Sequence, residues 1–248
     1  MINILITGHK GFIGSVLWDR LDKKYDLLGL DIKDGWDRDN LNNDQDIRSC
    51  ELPHPDVVDM VIHLAGIGGV RESLADPKKY WDTNVEGTKR ILETYKDARV
   101  LVAGSSSQYE PHLNPYAASK NVIESIPHNN VCFMRFHTVY SSTPRANMFF
   151  DKLLNDKLEY VTSHKRDFIH VEDLCDGIEI LMDSDFTGPI DIGTGVSVSI
   201  QDIRPDLPVK LNTVGERKIT QANTHLMKKL GHEPKYTVEG FLKERGLK

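Results

Sequence analysis

Residues 2–14 read Ile2-Asn3-Ile4-Leu5-Ile6-Thr7-Gly8-His9-Lys10-Gly11-Phe12-Ile13-Gly14. The short β-branched run Ile2 to Ile6 predicts a first strand, broken at Gly8, with a helix following from about Phe12 to Lys23. Gly8 permits a tight turn there. Gly11 lets phosphate oxygens reach backbone N–H groups at the helix N-terminus, and Gly14 lets helix and strand close up. The spacing is GxxGxxG rather than the usual GxGxxG, so the loop taken alone also fits an ordinary strand-to-helix turn. Asp31 tips the balance toward a dinucleotide. It ends a second predicted strand, Leu27 to Asp31, 17 residues past Gly14. A carboxylate there accepts hydrogen bonds from a ribose 2′-OH and repels a 2′-phosphate, which favours NAD over NADP. Lys33 nearby leaves NADP open. Asp46-Ile47 has two readings, either as a flank of the adenine with the acid on its amino group or as plain loop residues.

Outward from that loop, short apolar runs alternate with amphipathic stretches, the pattern of repeated βα units and a parallel sheet. Strands are predicted at Asp59–Ala65, Arg99–Ala103, Val131–Phe136 and Pro189–Ile192. Helices are predicted at Lys78–Tyr95, Pro115–Ser125, Met148–Leu154 and Val171–Met182, with two short ones near Ile200 and Thr224. The aspartate-rich stretch Asp34–Asp46 reads as loop. The fold class is therefore α/β, a Rossmann-type doubly wound parallel sheet with a small C-terminal substrate-binding lobe. Residues 1–138, with 167–192 returning, form the expected NAD-binding core. Residues 139–166 and 193–248 form the expected smaller lobe.

Composition narrows the function classes. The chain has 248 residues, 39% of them hydrophobic, and a formal net charge of −6. That length suits one large α/β domain or a main domain with an appendage. The acidic balance points away from nucleic acid and anionic membrane surfaces as partners. No apolar run approaches the roughly 18 residues of a membrane span. The N-terminal run is also shorter than the apolar stretch of about 7–15 residues in a signal peptide. Cys50, Cys132 and Cys175 have no paired spacing, so neither a disulfide framework nor a metal site is expected. The expectation is a cytoplasmic protein.

Tyr116-Ala117-Ala118-Ser119-Lys120 sets a phenol and an ammonium four residues apart, on one face of a helix. An unperturbed tyrosine titrates near pH 10. A neighbouring lysine and an oxidised nicotinamide both favour the phenolate, making it a usable general base. The pair follows a strand that ends in Gly104-Ser105-Ser106-Ser107, where a hydroxyl can hydrogen-bond the oxygen that the tyrosine deprotonates.

In this order the motifs resemble the extended short-chain dehydrogenases/reductases, in particular the NAD-dependent nucleotide-sugar epimerase/dehydratase group. The likeness rests on GHKGFIG (8–14), Asp31, HLAG (63–66), NVEGT (84–88), GSSSQY (104–109) and YAASK (116–120). It continues through MRF (134–136), RDFIHVEDL (166–174), IGTG (192–195) and LGHEPKYTVEGF (230–241). The resemblance implies that Tyr116, Lys120 and Ser105 are catalytic, Ser105 being placed by counting back from Tyr109. It implies that Ala65, Gly66 and Leu64 line the cofactor, that Asn84 supports the site, and that Lys120 binds nicotinamide-ribose hydroxyls. Phe12, Ile13, Ile32 and Phe136 complete the implied cofactor set. Arg166 would pair with a substrate diphosphate, to which its forked guanidinium is suited; as an alternative, it forms a surface ion pair with Asp167 or Glu172. Ser105, Ser106, Ser107, Thr138, Arg71 and Arg217 complete the implied substrate set.

The sequence also departs from that family. Ser106 and Ser107 stand where sugar-nucleotide dehydratases carry an Asp-Glu pair, which argues against a 4,6-dehydratase. The segment before Tyr116 is short, and Thr138 replaces an asparagine. Gly215-Glu216 matches a Gly-Asp pair, but the preceding arginine is missing, leaving Arg217 or Arg145 as substitutes. GDP-fucose synthase is also similar, yet Ser107 replaces its cysteine and Asp31 disfavours its NADPH. The expected activity is an NAD-dependent 4-epimerisation of a nucleotide-diphosphate sugar. The alternatives are an NAD(P)H-dependent reductase and a catalytically silent dinucleotide-binding protein. A homodimer through 78–95 and 115–125 is implied by resemblance alone.

Overall fold

The structure is a computed structural model that describes residues 2–32, 45–211 and 213–247. Lys33 and most of the expected 34–46 loop lie outside them. The strands in chain order are β1 (Asn3–Thr7), β2 (Asp26–Leu30), β3 (Met60–His63), β4 (Arg99–Ser105), β5 (Val131–Phe136), β6 (Thr138–Tyr140), β7 (Val161–Thr162), β8 (Lys165–His170), β9 (Gly188–Ile192), β10 (Ser197–Ser199) and β11 (Val209–Lys210). The helices are α1 (Phe12–Leu21), α2 (Val70–Ala75), α3 (Pro77–Trp81), α4 (Gly87–Thr94), α5 (Pro115–Ile123), α6 (Phe149–Leu154), α7 (Val171–Met182), α8 (Ile200–Ile203), α9 (His225–Lys229) and α10 (Val238–Glu244). The expected Lys78–Tyr95 helix is broken between α3 and α4 by a π-helical turn, Asp82–Glu86.

The central parallel sheet has six strands in the order β2-β1-β3-β4-β5-β9. Ile4, Leu5 and Ile6 are fully buried, as expected of a parallel strand covered on both faces. Leu5, Val61, Val100, Val102 and Phe133 meet Ile91, Leu92, Tyr95 and Ile123 in one apolar core. β1 pairs with β2 on one side and β3 on the other, all parallel. Strand order therefore reverses between β1 and β3, and the loops leaving their carboxyl ends flank the point where doubly wound sheets bind ligands.

The chain forms two compact units, one of residues 1–134 with 185–189 and the other of 135–184 with 190–248. Contacts of β8 and α7 help hold the second unit together. β8 pairs in parallel with β6 and antiparallel with β10. α7 is tied by Asp173, which accepts from the Lys235 and Tyr236 amides at 2.9 Å each. A second core of Tyr140, Phe150, Phe168, Ile203, Phe241 and Leu242 holds this unit, with the Tyr140 and Phe150 rings stacked at 4.8 Å. Among the described residues no helix is long and apolar enough to cross a membrane, and no three metal-ligating side chains cluster.

Candidate active site

The loop after β1 owes its shape to its glycines. Gly8 has φ +75°, and a Cβ there would stand 2.7 Å from the Ala65 nitrogen. A Cβ on Gly14 would stand 2.1 Å from the Gly8 carbonyl oxygen, so only glycine lets α1 approach the turn this closely. Gly11 caps α1 in an extended conformation, with no side-chain cap and no acidic residue in the first turn. The helix start thus offers backbone N–H groups and a positive dipole end without a protein carboxylate in its own first turn, which suits a bound phosphate. Asp31 is buried, and its Oδ2 accepts from the Lys10 amide at 2.9 Å. The loop backbone therefore fixes the acid at the end of β2. These features fit a dinucleotide with its pyrophosphate on α1 and a ribose at Asp31.

The His9 ring fills the space over Gly29, where a Cβ would come within 2.7 Å of it, and lies 4.8 Å from Trp18. Burial lowers its pKa, so His9 anchors the loop as a neutral ring. Asp46 is engaged by Arg48, whose Nε lies 2.9 Å from both carboxylate oxygens, and this hydrogen bonding holds the acid below its ordinary pKa. Ile47 is buried against Gly87, and Ile32 is exposed.

Below the loop runs a buried polar chain. His63 Nδ1 meets the Thr7 hydroxyl at 2.7 Å, and its Nε2 meets the Thr88 hydroxyl at 3.0 Å. Burial, with Lys120 nearby, pushes the His63 pKa down to about 3, so the ring is neutral. The Thr7 hydroxyl in turn accepts from the Ala65 amide at 3.2 Å, joining the β1 and β3 loops. Asn84, on the π-helical turn, accepts from the Ile67 amide at 2.9 Å. It donates to the Ile67 carbonyl and the Ser119 hydroxyl, each at 3.0 Å. The turn thereby aims one amide at both the β3 loop and α5.

Helix α5 starts at Asn114, whose side chain accepts from the Ala117 amide at 2.7 Å, with Pro115 in the first turn. One turn in, Lys120 is buried and its Nζ donates to the Ala103 carbonyl of β4 at 2.7 Å. Desolvation lowers its pKa to about 8. Tyr116 is half-buried on the same helix, its ring edge-on to Tyr80 at 6.2 Å. Ser105 is the buried last residue of β4, and its Oγ accepts from the Ser107 amide at 3.1 Å. Ser106 is buried and Ser107 half-buried in the turn that follows. The lysine thus bridges the helix bearing the phenol and the strand bearing the hydroxyl. Chemically, the set can take a proton from an alcohol and return it.

In the second unit Arg166 does not pair with Asp167 or Glu172. Its Nη2 lies 3.5 Å from Glu216 Oε2 and 3.1 Å from His164 Nδ1. Asp167 instead turns inward and is fully buried. It accepts from the Thr194 amide and hydroxyl and the Gly195 amide at 2.8 Å each, and from the Ala222 amide at 2.9 Å. Thr138 and Arg217 are half-buried, Phe136 is buried, and Arg71 is exposed on α2. The sequence offers Asp167 only as an ion-pair partner of Arg166 and gives no sign of His164. Their partners lie far along the chain or in the polar stretch 213–217, which no periodicity marks.

A model of the NAD dependent epimerase/dehydratase family matches residues 4–193. Among curated relatives, UDP-glucuronate 4-epimerase of Thermodesulfobacterium geofontis is 26% identical, covering 96% of this chain and 93% of its own. UDP-glucuronic acid decarboxylase 6 of Arabidopsis thaliana is 27% identical over 94% and 84%. Among solved structures, MoeE5 in complex with UDP-glucuronic acid and NAD superposes with a TM-score of 0.81 at 27% identity, covering 95% of each chain.

Proposed function

The chain belongs to the NAD dependent epimerase/dehydratase family, and on that premise we propose that it is an NAD-dependent 4-epimerase of a nucleotide-diphosphate sugar. The observation that carries the proposal is Lys120, buried and joined to Ala103, one helical turn from Tyr116 and two residues along β4 from Ser105. Bound NAD supplies a reversible acceptor for the hydrogen that leaves the sugar carbon.

The remaining steps fall to the chain. Tyr116, as phenolate, takes the proton of the C4 hydroxyl and later returns it, while Ser105 hydrogen-bonds the same oxygen. Lys120 favours the phenolate by its charge and binds the cofactor ribose. Asn84 holds α5 against the β3 loop. Arg166 grips the diphosphate while the ketone turns its other face to the cofactor, so binding energy retains an intermediate that would otherwise diffuse away. Ser106 and Ser107 carry no carboxylate to shuttle the proton of a departing water, which favours epimerisation over dehydration. The reading includes a cytoplasmic enzyme and a homodimer through α3–α5, the latter measurable by sedimentation velocity. Tyr116→Phe is expected to abolish isomer interconversion while dinucleotide binding survives; persistent turnover in that variant refutes the proposal.

A further inference from the structure

Arg166, Glu216 and His164 are arranged so that they cannot all be satisfied at once. Lys165 pairs with the segment 218–220, its amide donating to the Lys218 carbonyl at 2.9 Å and its carbonyl accepting from the Thr220 amide at 3.1 Å. That pairing brings Glu216 over β8. His164, just before β8, is 4% exposed. Its Nδ1 lies 3.1 Å from Arg166 Nη2 and 3.2 Å from Glu216 Oε2, and its Nε2 lies 2.9 Å from the Thr213 hydroxyl.

A guanidinium N–H only donates, and a carboxylate oxygen only accepts. With Nδ1 unprotonated, the ring accepts from Arg166 and presents a lone pair to Glu216. With Nδ1 protonated, it donates to Glu216 and sets an N–H against the N–H of Arg166. The two contacts exclude each other. In the first state both Nη groups of Arg166 are engaged, because Nη1 also donates to the carbonyls of Lys165 at 3.0 Å and Lys218 at 3.4 Å. In the second state Nη2 loses the ring, and Glu216, its other partner at 3.5 Å, is shared with the imidazolium, so an incoming anion competes against a weakened hold on the guanidinium.

We propose that His164 is a positioning residue that releases Arg166 to a diphosphate when its Nδ1 takes up a proton. This rests on the reading of Arg166 as a diphosphate ligand and adds what controls it. The charged groups facing this cluster are Arg166 from β8 and Glu216 and Arg217 from the facing segment, while Lys165 and Lys218 are exposed. The α8 residue facing it is Ile200, whose amide donates to the His164 carbonyl at 3.0 Å, while Asp202 on that helix is exposed. Moving a cation off Nδ1 and seating an anion beside it both favour the imidazolium. By linkage, anion affinity is full below the unliganded pKa of His164 and falls as pH rises through the liganded one.

The test is 15N NMR of the histidine rings in the intact protein, with His164→Gln identifying the signal. The probes are inorganic pyrophosphate and UDP-glucose. Without probe, above neutral pH, His164 is expected to show an unprotonated Nδ1. Saturation with either probe raises its protonation constant about tenfold, and Glu216→Gln removes that rise. His164→Gln, whose amide oxygen still accepts from Arg166, binds the probes with a pH dependence flattened by the same factor. A ring whose protonation ignores both probes, or a His164→Gln variant with the wild-type pH dependence, overturns the proposal. Sugar turnover measured alongside separates the two claims. Turnover with an indifferent His164 sinks only this inference. Ligand-driven protonation without turnover of any nucleotide sugar sinks only the epimerase reading.

Discussion

Lys120→Met separates what this lysine costs the fold from what it gives the site. Burial lowers its pKa to about 8, against about 10.4 in an unfolded chain. Holding the ammonium inside therefore costs about 3 kcal/mol near neutral pH. Methionine has similar length and no charge, so the substitution removes that cost. It also strips the Ala103 carbonyl of its 2.7 Å donor, a loss of about 1–3 kcal/mol. Near pH 7 the two nearly cancel, and the variant should melt within a few degrees of the wild type, since about 2–4 °C corresponds to 1 kcal/mol at this size. The pH dependence is the sharper test. Between the folded and unfolded pKa values the unfolded chain binds the extra proton, so wild-type stability rises with pH through that window, and the Met variant lacks this rise. Urea unfolding of both proteins between about pH 7.5 and 10.5 should show the wild type gaining about 3 kcal/mol on the variant. Turnover is lost throughout. Identical pH dependence in the two proteins would refute the assignment of a desolvated ammonium to Lys120.

Three further outcomes follow from geometry. Gly14→Ala places a methyl 2.1 Å from the Gly8 carbonyl, so the loop must move; calorimetric titration should show NAD binding at least tenfold weaker, with a stability loss of about 1–3 kcal/mol. On the proposal that Asp31 faces the cofactor ribose, Asp31→Asn removes its charge while keeping its shape, and competition binding should show NAD weakened about tenfold and NADP unchanged or improved. Asp167→Asn turns one of two fully used carboxylate oxygens into a donor facing an amide N–H, so at least one of four hydrogen bonds fails, the Thr194 hydroxyl being able to reverse its own, and the rest lose their charge. The expected loss is about 2–5 kcal/mol, read as a fall in melting temperature.

Much of the first unit is legible because its signals are local. Val131–Phe136 is bounded correctly from its apolar run alone, and in the second unit Val171–Met182 is bounded correctly from its helical period. Gly8, Gly14 and Asp31 stand where the turn and strand end require them. The second unit was harder to read. β8 reads Lys-Arg-Asp-Phe-Ile-His, charged at one end and buried at the other, so it registered as a motif and not as a strand. α10 likewise stands out in the sequence as a motif and not as a helix, although Thr237 caps it. Asp167 shows why: its partners are 27 to 55 residues away, and they are mostly backbone amides, which carry no sequence signature. The π-helical turn that aims Asn84 is equally silent in the sequence, being a property of backbone packing.

The most direct measurement is proton NMR of purified protein incubated with a panel of nucleotide-diphosphate sugars, with absorbance followed in the reduced-nicotinamide band. A 4-epimerase interconverts one pair of C4 isomers to equilibrium from either side, with no net change in that band. Stoichiometric consumption of reduced nicotinamide, release of water or carbon dioxide from the sugar, or no turnover across the panel would contradict it.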